Sequence, residues 1–171
     1  MIYQDFNSPT NTYGNVSQIM FSENGEKFAY VSPDSQNTNG YLIICDFDRC
    51  TGTFSNVQKH LVSSSNYLYG LCFSPNNKFL YTYQFALASL TIHTVATYDG
   101  FISPPGSSCC ATSFWNMYLA ANGKIYITSG SGVQHLHEMN YPDSAGIACD
   151  VQQHAISLGY AQLRAVPNHP N

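Results

Sequence analysis

The chain has 171 residues, and 9% of them are charged, whereas about a quarter of the residues of an average soluble protein are charged. With six lysine and arginine residues in all and a formal charge of −4, it offers no basic surface for nucleic acid or for an anionic membrane. The length favours a single domain covering residues 1–171.

One short pattern occurs three times and organises the chain. A strand that ends in Phe or Leu enters an Asn-containing turn and a lysine, and a second apolar strand follows. The copies are Phe21–Tyr30, Phe73–Tyr81 and Leu119–Ile127. Asn and Gly tolerate the positive φ angles of tight turns, so each copy predicts a β-hairpin. Repeats of about 40–50 residues are typical of the blades of β-propellers.

The first repeat, residues 13–60, predicts four strands, because short apolar runs alternate with turn residues. These strands are Ser17–Phe21, Lys27–Ser32, Tyr41–Phe47 and Thr53–Val57. Asp46 and Asp48 stand at the end of the third strand, where a carboxylate can act as a general acid, a base or a calcium ligand. We prefer a structural role in the turn, because Asp99 and Asp143 recur in the corresponding turns.

The second repeat, residues 66–105, predicts strands at Tyr69–Phe73, Lys78–Tyr83 and Leu90–Tyr98, with a turn at Asp99-Gly100 before a fourth strand from Phe101. The apolar stretch 79–98 is interrupted by Gln84 and His93. It therefore predicts strands and no membrane insertion.

The third repeat, residues 112–158, predicts strands at Asn116–Leu119, Lys124–Ser129, Gln134–Asn140 and Ile147–Val151. Residues 160–171 look like the beginning of a fourth copy. The predicted fold class is all-β, a partial β-propeller of about three four-stranded antiparallel blades plus the start of a fourth. Closed propellers usually have about four to eight blades. We therefore expect the rest of a larger propeller, or self-association, to complete the ring.

Five segments carry a family resemblance: Tyr41–Asn56, Leu71–Tyr81, Leu119–Ile127, Asn140–Asp150 and Val166–Asn171. The second contains Phe-Ser-Pro-Asn-Asn-Lys-Phe-Leu-Tyr, which is similar to the "FSPDGKxLY" turn of bacterial secreted propellers of the WD-repeat-like class. Together the segments resemble the last blades of propellers in large surface proteins exported by the type IX secretion system. The resemblance implies an extracellular or cell-surface location as part of a longer precursor, and it transfers no catalytic residues.

The start of the chain does not itself predict export. Residues 1–6 lack the basic region and the apolar core of a secretory signal. The six cysteines are irregularly spaced and leave disulfide bonds open, with buried free thiols as the competing explanation for Cys45 and Cys72. The adjacent Cys109 and Cys110 are poorly placed to bond to each other.

Three histidines form the best metal-binding candidate. His135 and His137 are two residues apart on a predicted strand, so they share a face, and His154 or Asp143 would supply a third ligand. A hydrogen-bonded strand face without a metal is the favoured interpretation, and we expect no cofactor. The sequence also lacks a Gly-x-Ser-x-Gly elbow and a phosphate-binding loop followed by a helix.

Aromatic residues provide the candidate ligand-binding positions. Trp115, Tyr118 and Tyr69 are expected near the innermost strands, where they could stack on a sugar or grip a peptide, although packing between blades is the commoner role. We therefore expect a non-enzymatic binding or scaffold module that recognises protein or glycan through its blade loops. The alternatives are a propeller-type lactonase or glycosidase, with a metal or acidic site at the central channel, and a self-assembling fragment.

Overall fold

The computed structural model describes residues 18–33, 38–63, 70–82, 85–88, 91–94, 114–129 and 134–160. They form three four-stranded antiparallel sheets, here called blades, in which each strand pairs with its neighbours in sequence. The first blade contains β1 (Ile19–Phe21), β2 (Lys27–Pro33), β3 (Gly40–Asp48) and β4 (Thr53–Ser63). The second contains β5 (Leu71–Phe73), β6 (Phe79–Thr82), β7 (Phe85–Ala88) and β8 (Thr91–Thr94). The third contains β9 (Phe114–Leu119), β10 (Ile125–Ser129), β11 (His135–Met139) and β12 (Val151–Ser157).

The all-β prediction is confirmed. Three open four-stranded sheets are the arrangement expected of a partial propeller, and the helical structure in the described residues is one 3-10 turn, Gly146–Cys149, between β11 and β12. No helix among these residues has the length and apolar character needed to cross a membrane. The predicted start of a fourth blade lies outside the described residues.

The three Asn-containing hairpins share one turn chemistry. In each turn the side-chain oxygen of Asn24, Asn76 or Asn122 accepts the backbone N–H two residues further on, at 3.2, 2.9 and 3.1 Å. This Asx turn satisfies the loop backbone locally. The residue that follows each inner strand donates its backbone N–H to a backbone carbonyl on the other side of the hairpin, at 2.9 Å in all three blades. The donor and acceptor pairs are Ser22–Lys27, Ser74–Phe79 and Ala120–Lys124. The predicted repeat is therefore a structural one.

The structure corrects the outer strands of the second blade. The third strand is β7 and the fourth is β8, whereas the sequence predicted a third strand at Leu90–Tyr98 and a fourth after Asp99-Gly100. The connecting residues are Tyr83-Gln84 and Ser89-Leu90, of which only Ser89 is a common turn residue. The prediction therefore missed β7, and the segment predicted as the third strand contains β8.

The fourth strands of the other blades also differ from the prediction. Strand β4 continues to Ser63 instead of ending at Val57, through a bulge beside Asn56, which has a φ of 51°. In the third blade, the segment expected to form a strand from Ile147 forms the 3-10 turn, and β12 begins at Val151. Asp150 ends that turn in the left-handed conformation, with a φ of 53°.

The blades pack face to face in chain order. We define the front face of each blade as the one that carries the last residue of its inner strand (Phe21, Phe73 or Leu119), and the rear face as the opposite one. The rear face of the first blade and the front face of the second form one core, made of Ala29, Val31, Leu42, Leu71, Phe73 and Leu80. The rear face of the second and the front face of the third form another, which includes Cys72, Tyr81, Met117, Ile125, Ile127 and Met139.

The inner strands β1, β5 and β9 come together at one point. The side-chain oxygen of Gln18 accepts the backbone N–H groups of Leu71 and Met117, both at 3.2 Å, and its Nε2 donates to the Met117 carbonyl at 2.8 Å. Gly70 lies so close to β9 that a Cβ atom there would be 2.2 Å from the Trp115 carbonyl oxygen. One amide side chain thus connects all three blades.

Candidate functional site

A cleft of about 490 Å³ opens between the first and second blades. Its apolar wall consists of Ile44, Phe73, Phe79 and Leu80, and its polar groups come from Lys27, Asp46, Asn56, Gln58, Asn77 and Lys78. We call this the interblade cleft. Ligand sites in proteins have volumes of about 300–1,000 Å³ and combine an apolar lining with a few polar groups, as this cleft does.

The polar side of the cleft is held by three strands of the first blade. The Asp46 carboxylate on β3 accepts the Nζ group of Lys27 from β2 and, at 2.6 Å, the amide Nδ2 of Asn56 from β4. The hydrogen bond from Asn56 is the largest cause, and that from Lys27 the next, of a pKa of Asp46 below its usual range. Asp46 therefore stays ionised and acts as an acceptor, which does not suit the role of general acid.

Gln58, Lys78 and Cys45 also line the cleft. The Oε1 atom of Gln58 is buried and has no hydrogen-bond partner. Lys78 is exposed, at the end of the hairpin that faces the first blade. Burial, followed by the nearby Asp46 charge, raises the pKa of the Cys45 thiol to about 11, so this cysteine is a protonated, weak nucleophile. The cleft offers hydrogen bonds and an apolar surface, and its chemistry suits binding.

The third blade has a group like Lys27, Asp46 and Asn56 of the first, which we call the polar corner. In the third blade the amide is on the third strand side and the acid on the fourth, the reverse of the first blade. Lys124 donates to Glu138 and to Asn140, each at 2.8 Å, and the Asn140 amide donates to the Asp150 carboxylate at 2.8 Å. Asp150 directly precedes β12 and corresponds to Asn56 of β4, because each lies two residues before the glutamine that pairs with the third strand, Gln152 or Gln58, and both have positive φ. A lysine, an acid and an amide thus secure the rear corner of two blades.

The second acidic candidate has the structural role that we preferred. The Asp48 side chain accepts the backbone N–H groups of Cys50 and Thr51, at 2.8 and 3.2 Å, and these bonds lower its pKa. Asp143 accepts the backbone N–H of Asn76 at 2.9 Å and so links the third blade to the second. Asp99 lies outside the described residues.

The structure brings the three predicted histidines together. The ring of His154 lies 5.2 Å from those of both His135 and His137, measured between centroids. The Nδ1 atom of His137 accepts the backbone N–H of His154 at 3.0 Å, and its Nε2 atom is buried without a partner. In the part of the chain that the structure describes, no three His, Cys, Asp or Glu side chains are arranged to hold a metal ion. The structure thus confirms that the three histidines lie close together, while metal binding by them stays a prediction.

The predicted ligand-binding aromatics are separated. Tyr118 lines a second cavity of about 290 Å³ at the inner strands, together with Phe21 and Phe73. Trp115 is partly buried in β9 and contributes to neither cavity. Tyr69 lies outside the described residues. The sequence did not indicate Gln58 or Asn56 as site residues. Asn56 was in the predicted fourth strand, whereas Gln58 followed its predicted end at Val57.

The cysteines of the described residues are free thiols. Cys45, Cys72 and Cys149 are buried and Cys50 is exposed. Burial raises the pKa of Cys72 to about 12 and is the main cause of a raised pKa of about 11 at Cys149. The buried-thiol interpretation of Cys45 and Cys72 is thus confirmed, whereas Cys109 and Cys110 lie outside the described residues.

No family model matches the chain, and no curated protein or solved structure matches it either.

Proposed function

We propose that this chain is a non-enzymatic binding module of a secreted or cell-surface protein, which recognises a protein or glycan ligand, and that the interblade cleft is the ligand site. The single observation that supports this proposal best is the composition of the cleft. Amide, lysine and carboxylate groups surround an apolar wall that includes two phenylalanine rings.

A glycan fits this composition better than a peptide. Sugars present hydroxyl groups to amide and carboxylate side chains and C–H faces to aromatic rings, and the cleft provides both kinds of contact. Its volume of about 490 Å³ matches one or two sugar rings better than a long peptide. Gln58, whose buried Oε1 atom has no partner, provides an acceptor for a ligand hydroxyl.

Binding to immobilised glycans, followed by titration calorimetry with the best ligand, tests the proposal. Gln58→Ala should weaken binding about tenfold, since it removes one hydrogen bond to the ligand. Lys59→Ala is the matched control, because Lys59 is the next residue of β4 and lies on the opposite face, over the ring of Tyr41. Equal affinity of Gln58→Ala and the wild type would contradict the assignment of the cleft, and failure to bind any glycan would favour a protein ligand.

A lactonase or glycosidase of the propeller type is the alternative. Such enzymes would need acidic groups or a metal ion where the inner strands meet. Here Gln18 and Met20, an amide and a thioether, occupy that position. Their neutral chemistry supports binding over catalysis. Stoichiometric zinc or calcium in the purified protein, found by elemental analysis, would shift the balance towards the enzyme.

A further inference from the structure

The front face of the first blade has an exposed apolar edge at its inner strand, whereas Ile43 and Cys45 on the same face are buried. Ile19 and Phe21 on its inner strand are 63% and 46% exposed. The rings of Phe21, Phe28, Phe47 and Phe54 form a connected cluster on this face, with neighbouring centroids 4.8 to 5.2 Å apart. A contiguous apolar surface of this kind usually marks a protein interface.

The equivalent positions of the other two blades are buried or partly buried. In the strand registers, Ile19 corresponds to Leu71 and Met117, and Phe21 corresponds to Phe73 and Leu119. Leu71, Met117 and Phe73 are 0%, 3% and 3% exposed, and Leu119 is partly buried. In the second and third blades, the rear face of the preceding blade covers the front face. Among the described residues, no sheet precedes the first blade to cover Ile19 and Phe21 in the same way.

The rear face of the third blade is the complementary surface. Its central row, Tyr118, Tyr126, Glu138 and Gln152, runs across all four strands. It corresponds to Met20, Ala29, Ile44 and Gln58 of the first blade, the row that faces the second blade. The polar corner of Lys124, Asn140 and Asp150 also repeats that of the first blade. Within the described part of the chain, no sheet follows the third blade.

We propose that a second copy of this chain docks head to tail, with the rear face of its third blade on the front face of the first blade. The described part of the chain makes a rear-to-front contact twice, and its first and third blades present the two halves of a third such contact, which continues the existing interfaces. Such a contact is heterologous, because each copy uses two different surfaces. The proposal does not depend on the glycan site.

Sedimentation equilibrium of the full chain over a range of concentrations tests the docking. Ile19→Lys places a charge on the front face and should weaken self-association at least about tenfold. Ile147→Lys is the matched control, since Ile147 is 84% exposed and lies in the 3-10 turn, outside the strands that form the two faces. Because Ile19 and Ile147 are both exposed, neither variant should lose its fold, and a thermal melt verifies this.

Mixing two variants distinguishes head-to-tail docking from a symmetric contact. Tyr126→Lys alters the rear face alone and should also weaken self-association. In a mixture, Ile19→Lys retains an intact rear face and Tyr126→Lys an intact front face, so one good interface can form between them. We expect the mixture to associate more strongly than either variant by itself.

Three results would overturn the proposal. The first is a wild-type chain that remains monomeric at every concentration, including a monomer in which residues 1–17 protect Ile19. The second is a loss of association in Ile147→Lys that equals the loss in Ile19→Lys. The third is a mixture that associates no better than its components, which would indicate that the front faces of two copies pair with each other.

Discussion

His137 is a histidine that the fold keeps neutral. It is fully buried, with its ring 4.9 Å from that of Phe114, and the neighbouring imidazoles of His154 and His135 oppose a positive charge. Burial, with these two neighbours, lowers the pKa of His137 from its ordinary value of 6.5 to about 4. The residue type was visible in the sequence, but the direction of the shift depends on burial.

We expect stability to fall on acidification because of this residue. The unfolded chain binds a proton at His137 below about pH 6.5, whereas the folded chain binds it only near pH 4. The contribution is therefore fully present above pH 6.5 and is lost as the pH drops towards 4, with a total of about 3 kcal/mol. Urea unfolding at several pH values measures it.

His137→Gln should flatten the loss of stability between these two pH values. His135→Gln is the control, because it removes a partly exposed imidazole and leaves the buried one in place. An unchanged pH dependence in His137→Gln would show that other groups cause the acid sensitivity.

At the scale of elements, the Asn-containing hairpins were predictable because their chemistry is local. Each Asn bonds to a backbone N–H two residues away, so a short sequence window contains the whole cause. The outer strands were less predictable. Strands β6 and β7 are separated by Tyr83-Gln84, which have weak turn preferences, and pairing with a neighbouring strand determines where each one ends.

Tyr81 connects the second blade to the third across their interface. Its buried hydroxyl donates to the Pro142 carbonyl at 2.7 Å and lies 3.1 Å from the Ser144 carbonyl oxygen. Tyr81→Phe keeps the ring and removes this bond, so we expect a loss of about 1–2 kcal/mol in the free energy of unfolding. Chemical denaturation measures the loss.

Tyr126→Phe is the matched control for Tyr81→Phe. The Tyr126 hydroxyl is exposed and accepts only the Asn122 amide, at 2.9 Å, so its removal should cost a few tenths of a kcal/mol at most. Equal losses in the two variants would contradict the role that we assign to the Tyr81 hydroxyl.

At the scale of the whole molecule, Gln18 determines how closely the inner strands approach. Gln18→Ala leaves the N–H groups of Leu71 and Met117 and the Met117 carbonyl without this partner. The side chain is partly buried, so we expect a loss of about 2 kcal/mol in the free energy of unfolding, measured by urea denaturation.

The exposed Gln134→Ala provides the comparison for Gln18→Ala, with an expected change within about 0.5 kcal/mol. Gln18→Glu tests the accepting oxygen and the donating nitrogen of the amide separately. A carboxylate still accepts from the N–H groups of Leu71 and Met117 but cannot donate to the Met117 carbonyl. If Gln18→Ala were as stable as the wild type, the hydrogen bonds of Gln18 would contribute nothing to holding the three blades together.

The sequence by itself determined the all-β class, the three hairpins and the structural role of Asp48, because each follows from contacts between residues close in sequence or on one strand. It also placed His135 and His137 on one face, whereas the pairing of β11 with β12 brings His154 to them. Tertiary structure decided the interblade cleft, the neutral His137 and the bridging role of Gln18. Each of these depends on residues from different strands or blades, such as Gln18 and Met117, which are 99 positions apart. Strand pattern specifies which face of a sheet is apolar, whereas only the packed blades specify what covers it.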